Sequence, residues 1–78
     1  MGAPDRAALV RLIRAELADC EPEACQEDRS VRDLLASLGR AEYPLNVVRA
    51  QFHQAQAANW RDFARRLRDL LAELGETP

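Results

Sequence analysis

A compact all-α bundle of four amphipathic helices is the fold class that this sequence predicts, with room for a fifth short helical turn in 20–27. Three observations lead there. Apolar residues recur at three- and four-residue intervals, and no segment alternates in the two-residue period of a strand. Gly and Pro, the strongest breakers of regular structure, divide the chain into segments of helical length. The 78 residues are 47% hydrophobic and 31% charged, which suits one folded domain rather than a disordered tail.

The first helix is expected over about 4–19. Pro4 or Asp5 opens it, because proline is tolerated in the first turn and an acid there complements the helix dipole. Leu9, Leu12, Ile13 and Leu17 share one face. Residues 19–28 read as a connector that holds Asp19, Glu21, Glu23, Glu27 and Asp28 and no base. Pro22 opposes continuation of the helix through it. The second helix is expected over 30–38. Ser30 is the cap, Asp33 follows at the third position, and Val31, Leu34, Leu35 and Leu38 form the apolar face. Gly39 suits the left-handed residue just past its end.

Pro44 opens a third helix over 44–58, with Leu45, Val48 and Phe52 as its buried stripe and Val47 and Ala55 beside them. Asn46, Arg49, Gln51 and Gln54 form its wet side. Asn59 then caps a fourth helix over 60–74, in which Trp60, Phe63, Ala64, Leu67, Leu70, Leu71 and Leu74 make one seam and Gly75 ends it. A continuous helix from Pro44 to Leu74 is the alternative, since no breaker lies between Ala55 and Ala58.

Composition removes several functions. The net charge of −2 argues against a general nucleic-acid binder. No apolar run approaches the roughly 20 residues that span a bilayer, so no membrane contact is expected. Arg6, Arg11 and Arg14 interrupt the one N-terminal apolar stretch, which speaks against a signal peptide, and a cytoplasmic protein with reduced thiols is expected. Cys20 and Cys25 stand five positions apart, neither a redox pair nor half of a zinc site, and a local disulfide across the acidic connector is the alternative to reduced thiols. Carboxylates around them raise a thiol pKa, which disfavours a nucleophile paired with His53, the single histidine. The acids of 19–28 lack the spacing of a calcium loop. No glycine-rich phosphate loop is present. The sequence therefore predicts no enzyme, no metal and no cofactor.

What remains is charge and apolar surface. All eleven basic residues are Arg. Arg61, Arg65 and Arg68 share one helix face, and Glu21, Glu23, Glu27 and Asp28 crowd the connector. Tyr43 and Trp60 are candidate apolar anchors. The expectation is a non-catalytic adaptor or recruitment module that orients its partner by segregated acidic and Arg-rich surfaces. The partner would be another protein or domain, or a second copy of the chain.

Two stretches resemble acyl carrier proteins. LVRLIRAELADCEPEACQEDRSVRDL, from Leu9 to Leu34, is similar to that family's first helix, acidic loop and approach to the second helix. WRDFARRLRDLLAEL, from Trp60 to Leu74, is similar to its last helix. The resemblance implies a four-helix carrier with 4'-phosphopantetheine on Ser37, or a degenerate relative that no longer carries it. In the family's Gly-x-Asp-Ser-Leu run, Ala36 stands in place of the Asp and the Gly is missing. The stretch NWRDFARRLRDLL also resembles the Trp-containing helix of death-fold and effector-associated domains, which implies recruitment by like modules. Those domains usually have six helices, against four counted in this chain.

Overall fold

The computed structural model describes residues 3–77. It is a helical hairpin of two long helices, α1 over Ala3–Leu35 and α2 over Tyr43–Glu73, joined by a turn at 36–42. The four-helix bundle is thereby corrected. The first two expected helices and the acidic connector are one helix, and the last two are one helix, as the continuous alternative for Pro44–Leu74 has it. The rod measures 60 × 17 × 15 Å, with a radius of gyration of 17.5 Å. A compact chain of this length would have a radius near 11.5 Å.

The reason is a seam that runs through the expected breaks. On α1 the inward positions are Val10, Ile13, Leu17, Cys20, Ala24, Glu27, Val31 and Leu34, which alternate steps of three and four. On α2 they are Asn46, Ala50, His53, Ala57, Trp60, Ala64, Leu67, Leu71 and Leu74, on the same alternation. This is the heptad pattern of a coiled coil, folded back on itself in antiparallel sense. Val10, Ile13 and Leu71 form the buried cluster at the open end, with Leu9, Leu17, Leu67 and Leu74 packed around it. Toward the turn the buried residues become small: Ala24, Ala50, Ala57 and Ala64. Small side chains there let two backbones lie close along a narrow seam.

Pro22 lies inside α1 and does not end it. It sits on the outer, exposed face, where the carbonyl of Ala18 that loses its amide partner also meets water. Cys20 and Ala24 on either side of it are buried, and their burial holds the helix through the proline. Ser30 is not a cap: it lies mid-helix, and its hydroxyl donates back to the Gln26 carbonyl at 3.2 Å. Asn59 likewise sits within α2, its amide donating to Gln56 at 3.5 Å.

The punctuation at the true ends agrees with the sequence. Gly39 has φ +92° in the turn, and Pro44 occupies the first turn of α2. Gly75 has φ +78°; its amide donates to the Ala72 carbonyl and that of Glu76 to Leu71. This pairing is a Schellman closure of α2. Just beyond it, Glu76 pairs with Arg6 at 3.7 Å and Arg14 at 3.4 Å, tying the chain end to α1.

The largest correction in packing concerns α2. Leu45, Val48 and Phe52, the expected buried stripe, are 51%, 60% and 61% exposed, while Asn46 on the expected wet side is buried. Leu12, Leu35 and Leu38, expected on apolar faces, are exposed as well. Among the described residues, no helix is long and apolar enough to cross a membrane.

Candidate interaction surface

Each helix of the hairpin carries one row of residues on either side of its seam, so the rod has two flanks. The rows of one flank are Arg14, Glu21 and Asp28 on α1 and Gln54, Arg61 and Arg68 on α2. Here the helices are tied by charge. Arg61 donates to Asp28 at 2.7 Å and to Glu21 at 3.4 Å. The Arg61 hydrogen bond holds the Asp28 carboxyl below its ordinary pKa, and Asp28 raises that of Arg61 in return. A shallow groove on this flank is lined by Cys25, Asp28, Arg29, Val31, Arg32 and Gln54.

The opposite flank holds most of the large apolar side chains that α2 exposes. Leu45, Phe52, Phe63 and Leu70 fall on adjoining rows there, with Arg49, Gln56, Asn59 and Arg66 interspersed. Phe63 is 38% and Leu70 36% exposed. Trp60, half-buried in the seam, leans on Phe63 with ring centroids 6.3 Å apart, and a groove opens among Gln56, Asn59, Trp60 and Phe63. Across from this stripe α1 contributes Leu9, Leu12, Glu16, Asp19, Glu23 and Asp33. Those four carboxylates make no ion pair among the described residues.

The sequence-expected site residues are distributed over both flanks. Arg61 is drawn against Glu21 and Asp28, so the foremost acids and the foremost Arg neutralise one another within the chain. Arg65 and Arg66 pair along α2 with Asp62. Arg68 stays beside the seam near Cys20. Glu23 is half-buried on the apolar flank. Glu27 lies in the seam, where its carboxylate meets the His53 ring. Tyr43 begins α2 at the turn, half-buried.

Ser37 has no free hydroxyl. It is buried, its Oγ donates to the Leu34 carbonyl at 2.6 Å and accepts from Asn46 Nδ2 at 2.8 Å. Arg49 in turn donates to Asn46 Oδ1 at 3.1 Å. This small polar network closes the turn end of the seam, and a group attached at Ser37 would have to break it. The thiols are equally quiet. Burial, with Glu16 next, raises the pKa of Cys20, while its Sγ contacts the Glu16 carbonyl. The hydrogen bond to Glu21 raises that of Cys25. Both cysteines are free. Among the described residues, no group of three or more His, Cys, Asp or Glu side chains is placed to hold a metal ion.

Comparison of the chain with protein-family models, with curated proteins and with solved structures gives no match.

Sequence reasoning missed the exposed stripe of Leu45, Phe52, Phe63 and Leu70, and it missed the polar seam pairs Glu27–His53 and Ser37–Asn46. The signal was available. Continuing the three-four alternation backward from Leu71 through Ala64 and Ala57 to Ala50 assigns Asn46 and His53 inward and Phe52 outward.

Proposed function

We propose that this chain is a non-catalytic helical interaction module, a coiled-coil hairpin that binds protein through the apolar flank of α2. The observation that carries the reading is the row of Leu45, Phe52, Phe63 and Leu70 on one side of a rod whose seam is already filled. Large apolar side chains gathered on one flank mark a contact surface rather than scatter. The groove beside Trp60 supplies a place for an apolar anchor of the partner, and Glu16, Asp19, Glu23 and Asp33 of α1 give it a charged rim. The partner chemistry is an amphipathic helix with an apolar face and basic edges. The charge-segregated surfaces expected from sequence contribute less, because Arg61 is engaged within the chain. A cytoplasmic setting suits two free thiols.

A photo-cross-linking amino acid at position 63, compared with the same group at position 32 on the opposite side, tests the reading in cells. The expected result is a covalent protein adduct at 63 and little at 32. Equal yields at both positions, or none at 63, would overturn it.

A further inference from the structure

The partner that the apolar flank fits best is a second copy of the same chain. This rests on the interaction reading above and names its occupant. We infer that two hairpins pack α2 against α2 in antiparallel sense, about a twofold axis passing between Ala57 and Ala58, to give a four-helix assembly.

The first argument is spacing. Leu45, Phe52, Phe63 and Leu70 are separated by seven, eleven and seven residues, so the stripe reads the same in either direction. A twofold contact requires a patch to be complementary to itself. About the stated axis, Leu45 meets the partner's Leu70 and Phe52 meets the partner's Phe63. Gln56 meets the partner's Asn59, and their amides can exchange hydrogen bonds at the centre. Each apolar member of the stripe thus faces another, and the two arginines of the same rows face each other, Arg49 opposite the partner's Arg66.

The second argument is charge. The seam contacts fix which α1 residues stand level with which α2 residues. The same axis then brings Glu16 and Asp19 to the height of the partner's Arg49, and Asp33 to that of the partner's Arg66. Glu16, Asp19 and Asp33 make no ion pair within one chain among the described residues. Arg49 and the partner's Arg66 also come level with each other, and Asp62, already on Arg66, stands with them.

The third argument is area. The chain exposes 5639 Å², whereas a compact monomer of 8.8 kDa would expose about 4,800 Å². The excess, roughly 850 Å², is close to the ~800 Å² that each partner contributes to a standard interface. A hairpin is a single layer of helices, and a second layer is what stable small domains ordinarily add.

Sedimentation equilibrium of the full chain, from micromolar to millimolar concentration, tests this. The expected result is a mass rising to twice 8.8 kDa and no further. Phe63→Glu is expected to return the single-chain mass with its helical circular dichroism unchanged. A mass of one chain throughout would overturn the dimer, as would a Phe63→Glu chain that stays dimeric. The register is tested independently of that variant, on a Cys20→Ala, Cys25→Ala background. Chains with Phe52→Cys, mixed with chains carrying Phe63→Cys, should oxidise to the mixed disulfide well above its statistical share. A merely statistical mixture would overturn the twofold placement. If the purified chain is monomeric while the cross-linker at 63 still captures a different protein, the dimer falls and the interaction reading stands. If both experiments are negative, both fall.

Discussion

The two flanks of the rod share one seam and differ in how they are finished. On one, Arg61 reaches across to Glu21 and Asp28 and the surface is closed by the chain's own charges. On the other, Phe52, Phe63, Leu45 and Leu70 are exposed, and Glu16, Asp19, Glu23 and Asp33 make no ion pair among the described residues. Ion pairs of half-exposed side chains set orientation and contribute little energy, whereas apolar area contributes in proportion to what is removed from water. The charged flank therefore orients the two helices, and the apolar flank leaves exposed an area whose removal from water would be stabilising.

The seam on which both flanks depend gives the largest expected effect. Leu71 is fully buried in the open-end cluster, so Leu71→Ala should lower stability by about 3 kcal/mol, read as a shift in the urea midpoint. A loss below about 1 kcal/mol would mean that the seam is not the main support. Pro22→Ala comes next and acts in the opposite direction. It restores an amide on the outer face of α1 and should raise stability by about 2 kcal/mol, leaving both flanks as they are. No gain would show that α1 is already relaxed at the proline.

Arg61→Ala removes the interhelical ties of the charged flank. Only a small loss of stability is expected, well short of that of Leu71→Ala, since these side chains are half exposed or nearly so and the solvent screens them. A loss as large as that of Leu71→Ala would reverse the ranking of the flanks. The smallest effect is one of pH. The folded-state pKa of Asp28 is lowered by Arg61, so its contribution is fully present above the ordinary carboxylate pKa. It fades as the pH falls through the lowered value. Acid titration of the wild type and of Arg61→Ala should show this component in the first alone.

Much of the helical content was legible in the sequence and the number of helices was not. Gly39, Pro44 and Gly75 were read correctly because a left-handed residue and a first-turn proline are local requirements. Pro22 was misread because its cost is local while the burial of Cys20 and Ala24 that offsets it comes from the far helix. Ser30 and Asn59 have cap chemistry, yet a side chain able to cap also serves on the outer side of a helix. The apolar stripe was placed inside because Leu45, Val48 and Phe52 are larger than Ala50 and Ala57. In a close two-helix seam the small residues go in and the large ones remain out. The four-helix plan that the carrier resemblance implies gives way to two helices, and Ser37 is held by Leu34 and Asn46 at the turn between them.

The central claim is that the apolar flank is completed by a second copy and the charged flank is complete by itself. It is tested most directly by the thermal midpoint as a function of protein concentration, since association with the folded state alone makes Tm rise with concentration. The account predicts a midpoint that climbs with concentration for the wild type and for Arg61→Ala, and one that stays level for Phe63→Glu. A level midpoint for the wild type across the whole range would contradict it.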